Sequence, residues 1–396
     1  MRGMAKSRSV KKKMNTQNMT FREGSFMYRG GKVMKKIISV TAVLCVLLGL
    51  GGCSNSKTTA KEDPIEKYGS DVLNVYNWGE YIGDDVISNF EKEFGVKVNY
   101  SMYDSNEILY TKLLGSSSYD VIVPSDYMIE RLMEEGRLQP IDYSYMTNLE
   151  DMDPQVVALR DEYDPDGVYS VPYFWGSVGL VYNKNTVSKE ELDELGWNIL
   201  RDTKYAGRIF MYDSERDSFM VALKALGYSM NTENMDEIEE AYNWLCELHD
   251  TMQPAYVTDE VNDAMINGER DIAVVYSGAA AYIISENEDM DFYMPKEGTN
   301  VWSDSFAIPA NAKNPKLANE FINFMLSYDS ALDSSITVGY TSENKKVVET
   351  LMSEGEVYYE NSAYSFDASN PNNEVFKNNE TLKKVLSDKW IRIKVR

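Results

Sequence analysis

Aromatic rings set beside carboxylates are the residues best equipped for chemistry in this chain. The pairing recurs in Trp78-Gly79-Glu80-Tyr81, Ser125-Asp126-Tyr127, Tyr212-Asp213 with Asp217, and Trp302-Ser303-Asp304. Tyr173-Phe174-Trp175, Tyr276-Ser277 and Tyr340-Thr341 add rings in similar settings. With 28 Tyr, 13 Phe and 6 Trp, there are rings enough to line a cleft as well as a core. Rings cover a methylene chain and attract an ammonium by cation–π contact, about 0.5–2 kcal/mol each. Carboxylates accept charge-assisted hydrogen bonds from amine ends. An unpaired buried ammonium costs several kcal/mol, so a site for a flexible dication needs an acid near each end. For any single ring in these segments, core packing is the competing role.

Other chemistries find little material. His249 is the one histidine, so no Ser-His-Asp triad has a second candidate base. No nucleophile elbow, zincin motif or P-loop occurs. No Cys/His set has zinc spacing, and neither a metal nor a cofactor is expected. Carboxylates are abundant enough that a hydrolase using a carboxylate pair stands as an alternative, but nothing singles out a pair.

The elements that must position these residues alternate along the chain. VLNVYNW (72–78), VKVNYSMY (96–103), YDVIVPS (119–125), GRIFMYD (207–213), RDIAVVYSG (270–278) and SDSFAIPANA (303–312) read as strands. Between them, 84–95, a stretch from Ser105 through Leu114, 126–136, 218–229, 235–252 and 315–326 carry helical periodicity. Strand–helix repetition predicts an α/β fold with parallel sheets. Ligands of open α/β sheets bind beyond the carboxyl ends of the strands.

The N-terminal region reads as an address. Lys35 and Lys36 precede an uncharged apolar run, 37–50, and Leu50-Gly51-Gly52-Cys53 follows it. That is the pattern of a signal peptide, and the run is shorter than the ~20 residues a membrane span needs. Leu-x-Gly-Cys resembles a bacterial lipobox, which makes Cys53 the expected lipidation site. Residues 1–52 are then a targeting segment, with Met34 a candidate true start, and 53–70 a lipidated flexible tether. Cys246 is left without a disulfide partner. Beyond residue 52 the chain holds 29 basic and 62 acidic residues, a net of −33, which repels nucleic acid and steers cations inward.

Taken in order, NVYNWGEYI, YDVIVPSDY, YSVPYFWGSVGLVYN, DSERDSFMVALKALGYS, VVYSGAA, VWSDSFAIPANAKN and VGYTSEN resemble the spermidine/putrescine-binding proteins of polyamine ABC transporters. The resemblance runs from about Leu73 to Ser342. It implies a two-lobed type II periplasmic-binding-protein fold, each lobe a mostly parallel sheet flanked by helices, with the ligand in the interlobe cleft. Lobe 1 would combine 71–178 with 303–348, and lobe 2 would combine 179–302 with 349–396. Carried over by position, Trp78, Tyr81, Ser125, Tyr127, Asp217, Tyr276, Trp302, Asp304 and Tyr340 would line the ligand. The family's other acid falls on Ser214, so Asp213 is the candidate to compensate. The family's C-terminal polar contact has no clear match, and Phe376 stands nearest. The resemblance further implies a non-enzymatic, monomeric, extracytoplasmic receptor. It would hold spermidine or putrescine, sit on the membrane through Cys53, serve an ABC permease and bind no nucleic acid. A related receptor for another small solute (a sugar, thiamine or iron) is the alternative within the same fold.

Overall fold

The computed structural model describes residues 63–396, apart from 116, 117 and 259. Cys53 and the targeting segment lie outside the described residues.

The end of the expected tether is structured. In α1 (Pro64–Tyr68), Asp63 caps the helix by accepting from the Ile65 N–H, and Pro64 sits where its missing N–H costs nothing. Tyr68 is buried and its hydroxyl donates to Glu320 at 3.0 Å. Residues 64–68 therefore belong to the folded body.

Strands and helices then alternate: β1 (Val72–Trp78), α2 (Val86–Phe94), β2 (Lys97–Tyr103), α3 (Asn106–Leu114), β3 (Val121–Ile122), α4 (Asp126–Glu134), β4 (Leu138–Gln139) and α5 (Pro154–Asp161). A long β5 (Ser170–Asn183) leads to α6 (Lys189–Leu195), β6 (Ile209–Tyr212), α7 (Glu215–Ala225), α8 (Met235–Met252), β7 (Ala255–Val257), α9 (Val261–Ile266), β8 (Ile272–Tyr276), α10 (Ser277–Glu286) and β9 (Met290–Tyr293). The chain returns on β10 (Val301–Pro309), followed by α11 (Pro315–Met325), α12 (Tyr328–Val338), β11 (Thr341–Ser342), α13 (Lys345–Leu351) and α14 (Glu380–Lys394).

Strand order is β2-β1-β3-β10-β5-β8-β6-β7. The outer sets β2-β1-β3 and β6 with β7 and β8 are parallel, whereas β10 and β5 run antiparallel to their neighbours. The sheets are thus mixed at the centre. β5 serves both halves: Ser170–Ser177 pairs with β10, and Val178–Asn183 pairs with β8 or β9. The pairing partner changes between Ser177 and Val178, and β10 begins at Val301.

Both faces of each half are covered by helices, which is why the strands read as apolar runs. In β8, Ile272 and Val274 pack with the α7 and α8 residues Phe219 and Leu245, while Ala273 and Val275 pack with Met265 and Ala280 on the opposite face. In β1, Leu73 and Val75 meet Phe90 and Phe321, while Tyr76 meets Leu109 and Met128. Leu317, Phe321 and Met325 form the buried stripe of α11, with Phe321 edge-on to Phe90 at 5.0 Å. Leu386, Trp390 and Ile393 of α14 join the core under α7 and α8. Ala331 of α12 and Val347 of α13 pack with Val181 and Phe210. Part of segment 303–348, expected in lobe 1, thus shares a core with β5 and β6 of the second half.

Candidate functional site

Asp304 sits on β10 where the register with β5 shifts between Asp304 and Ser305. Such an irregularity re-aims a side chain. An isolated bridge to Ser125, just before α4, holds the same spot. One oxygen of the buried carboxylate accepts from the Tyr81 hydroxyl at 2.8 Å, and the other, Oδ1, has no partner. Burial pushes the Asp304 carboxyl up to about 6, while the nearby Ser125 side chain and the Tyr81 hydrogen bond oppose the shift. Tyr81 follows Glu80, whose φ of 52° turns the chain sharply after β1.

The neighbours of Asp304 are fixed by polar contacts. Asn106, at the start of α3, donates from Nδ2 to Ser125 Oγ and to the Tyr127 hydroxyl, both at 3.0 Å. Trp78 donates its indole N–H to the Val123 carbonyl at 2.8 Å and tilts against Tyr103. Asp126 is buried, with Oδ1 accepting the Tyr127 N–H at 2.7 Å and Oδ2 unpartnered. Burial, aided by the like charge of Asp304, raises its carboxyl to about 7.

A second buried acid lies in the other half. Asp217 lies in the first turn of α7, where Ser214 caps the helix by accepting the Asp217 N–H at 3.4 Å. The Tyr276 hydroxyl donates to Asp217 Oδ2 at 2.8 Å, and Oδ1 is buried without a partner. Burial raises the Asp217 carboxyl, while Ser214 and Tyr276 oppose the shift.

Aromatic rings connect the two acids. Tyr276 stands edge-on to Trp302 at 6.1 Å, Trp302 to Tyr340 at 5.1 Å, and Tyr340 to Tyr81 at 6.0 Å. The Trp302 indole N–H is buried without an acceptor. Glycines make room for this wall: a Cβ on Gly176 would come within 2.5 Å of Trp302, and one on Gly278 within 2.3 Å of Tyr340.

The expected residues therefore separate into groups. Tyr81, Ser125, Asp217, Tyr276, Trp302, Asp304 and Tyr340 form one connected arrangement, with Tyr127 and Trp78 at its first-half end. Asp213 is not part of it. Its carboxylate accepts from Lys394 Nζ at 2.6 Å and Trp390 Nε1 at 3.1 Å, which draws it onto α14 and away from Asp217. Tyr173, Phe174 and Trp175 are core residues. His249 pairs with the Tyr256 hydroxyl at 2.9 Å rather than with either acid.

Sequence reasoning missed Asn106, Gly176, Gly278 and Arg216. The Arg216 guanidinium rests 3.9 Å from the Tyr127 ring centre and 5.8 Å from that of Phe376. Arg-Asp in DSERD is the available signal for Arg216, a cation one residue before a buried acid.

The two halves are also tied at the rim. The Asn378 N–H donates to Glu130 at 2.6 Å, its side chain to Glu134 at 3.0 Å, and Arg131 pairs with Glu380 at 2.9 Å. Lys383 pairs with Glu107. The start of α14 thus grips α3 and α4. Among the described residues no cluster of three or more potential metal-ligating side chains occurs, and no helix is long and apolar enough to cross a membrane.

Comparisons with known proteins agree with this architecture. Residues 85–361 match the family described as Bacterial extracellular solute-binding protein. The spermidine/putrescine-binding periplasmic protein of Escherichia coli K12 is 36% identical over 300 residues, covering 75% of this chain and 83% of that one. The crystal structure of the spermidine/putrescine ABC transporter substrate-binding protein PotD from Streptococcus pneumoniae superposes with a TM-score of 0.72 at 34% identity, covering 82% of this chain and 99% of that one. The TpPotD lipoprotein of Treponema pallidum gives a TM-score of 0.69 at 28% identity, covering 82% of this chain and all of that one (100%). The fold is accordingly the two-lobed type II arrangement, its halves joined through β5 and β10. The chain belongs to the spermidine/putrescine-binding protein family of bacterial extracellular solute-binding proteins.

Proposed function

We propose that this protein captures a polyamine, spermidine or putrescine, outside the cytoplasm and delivers it to the permease of an ABC importer. One observation carries the reading: two buried carboxylates, Asp304 and Asp217, each keep an oxygen without a partner and are joined by a continuous aromatic wall. Left alone, such acids are costly, and an ammonium at each removes the cost. Tyr81 and Tyr276 each orient one carboxylate oxygen, leaving the other for an amine. Trp302, Tyr340 and Tyr276 cover the methylenes, which have no hydrogen-bonding demand. Closing the lobes places both acids on one ligand, as hinge-closing receptors do.

The anchor is part of the same proposal. Cys53 carries a lipid that keeps a monomeric receptor on the extracytoplasmic face, close to its permease. The lipoprotein named among the structural relatives supports this reading. Radiolabelled palmitate should enter the wild-type chain in a bacterial host and fail to enter Cys53→Ala. Equal labelling would remove Cys53 from the proposal.

Titration calorimetry of the full chain in detergent, with putrescine and spermidine, tests the ligand class. We expect binding well below millimolar for at least one of them. Absence of binding by both up to about 1 mM, a free energy near −4 kcal/mol, would overturn the polyamine reading.

A further inference from the structure

We propose that the buried Lys224–Glu374 ion pair positions Asp217 for the ligand, by fixing the helix that carries this acid to the start of the strand that carries Asp304. Lys224 is then a positioning residue, which acts on the ligand through Asp217. The inference rests on the two-acid reading of the site and adds what holds the acids at their separation.

Lys224 lies in the last turn of α7, and Asp217 in its first. Seven residues make about two helical turns, so both side chains leave the helix on one face, about 10 Å apart along its axis. Both are buried. The Lys224 ammonium donates to the Asn372 carbonyl at 2.6 Å and pairs with Glu374 Oε2 at 2.7 Å. The residues after α7 grip the same carboxylate: Ser229 Oγ donates to Oε1 at 2.6 Å, and the Met230 N–H to Oε2 at 2.7 Å. Burial favours the neutral Glu374 carboxyl, yet Lys224 and these donors hold it below the ordinary glutamate value, so it is ionised at neutral pH.

The backbone of Glu374 is tied to the other element. Its N–H donates to the Thr299 carbonyl and its carbonyl accepts the Val301 N–H, both at 3.0 Å, on either side of a parallel bridge to Asn300. The Asn300 carbonyl in turn accepts the Val178 N–H at 3.0 Å, where β5 changes partners. The approach is tight: a Cβ on Gly298 would come within 2.1 Å of the Asn372 carbonyl oxygen. Val301 opens β10, which runs on through Trp302 to Asp304. The route from Asp217 to Asp304 is therefore α7, one ion pair and the first residues of β10.

A buried ion pair is a poor source of stability, because desolvation offsets its attraction and apolar replacements are often neutral. What this pair supplies is placement. α7 cannot slide or roll without breaking the hydrogen bonds to Glu374, and a binding constellation loses grip when its groups shift by about 1 Å.

Calorimetry of the full chain with putrescine and spermidine tests this in wild type, Lys224→Met, Asp217→Asn and the double variant. We expect Lys224→Met to weaken the tighter-binding polyamine about 10-fold in the wild-type background and less than about 3-fold in the Asp217→Asn background. A role in general stability would cost both backgrounds alike, so equal losses overturn the proposal, as does an unchanged affinity in Lys224→Met. Removing Lys224 alone strands a buried carboxylate. Where that variant fails to fold, Lys224→Met with Glu374→Gln takes its place in the same cycle, under the same criteria. Wild type that binds neither polyamine overturns the reading beneath the proposal, a result seen before any variant is made and so distinct from a failed cycle.

Discussion

Asp304 is a buried acid with half of its hydrogen-bonding capacity unmet, and this makes it the most consequential single residue. Asp304→Asn keeps the shape and removes the charge that an ammonium would meet. Hydrogen bonds to charged groups contribute about 1.5–3 kcal/mol, so affinity should fall about 10- to 100-fold by calorimetry. His249→Ala, which alters only the contact with Tyr256, should leave affinity as it is. Equal losses in the two variants would show that Asp304 does not hold the ligand.

The same carboxylate sets a pH dependence. In the free protein burial holds Asp304 at about 6, above the ordinary aspartate value near 4. The folded state then binds more protons than the unfolded chain across that interval. The contribution of this group to stability is full below about pH 4 and is lost as pH rises through about 6. An ammonium favours the ionised form, so binding at pH 6 must expel protons. Affinity should therefore rise between about pH 5 and 7. Calorimetry at pH 6 in two buffers of different ionisation enthalpy should give different heats, and the difference should shrink in Asp304→Asn. Identical heats in the wild type would mean that Asp304 is already ionised before the ligand arrives.

Among the elements, α14 has the widest reach. Its apolar face packs under α7 and α8, while its first turn and the residues before it hold α3 and α4. Those rim contacts require the halves to be together, so they favour the closed form without touching the ligand. Exposed ion pairs contribute about 0.2–1 kcal/mol each. Lys383→Glu should weaken binding of every ligand by about the same few-fold factor, and Lys383→Glu with Glu107→Lys should restore it. Surface plasmon resonance would place the change in dissociation, since closure guards the exit. A changed ligand preference, or no recovery in the double variant, would argue against a role in closure.

How far these elements could be read in advance depended on where their information lies. Alternation in VLNVYNW and the stripe of 235–252 are local patterns, and β1 and α8 occupy those very ranges. YDVIVPS reads as a strand over 119–125, yet regular pairing covers only Val121–Ile122, with Pro124 close behind. α12 escaped notice because its buried face is Ser330, Ala331, Ser334 and Ser335, too polar to show a stripe. α1 carried a legible start in Asp63-Pro64, hidden by the polar residues before it. At the site, aromatic–acid pairs were visible as sequence neighbours. The diversion of Asp213 was not, because its partners Trp390 and Lys394 are nearly 180 residues away, at separations of 177 and 181. Gly176 and Gly278 look ordinary until Trp302 arrives from β10 and Tyr340 from the bend before β11.

At the scale of the whole molecule, β5 and β10 unite the halves, so ligand free energy couples to closure and to global stability together. Ligand at 100 times its dissociation constant should stabilise the fold by about 2.7 kcal/mol, readable as a rise in melting temperature. Trp302 stands where these events converge, its indole N–H buried and without an acceptor, edge-on to Tyr276 and Tyr340. An indole's emission shifts with the charge placed beside it. A dication settling against this ring should change the colour and intensity of the protein's own fluorescence, and Trp302→Phe should erase most of that change while Trp197→Phe, in the second core, leaves it. That response would give the protein a built-in optical gauge of its occupancy, one that needs no attached dye.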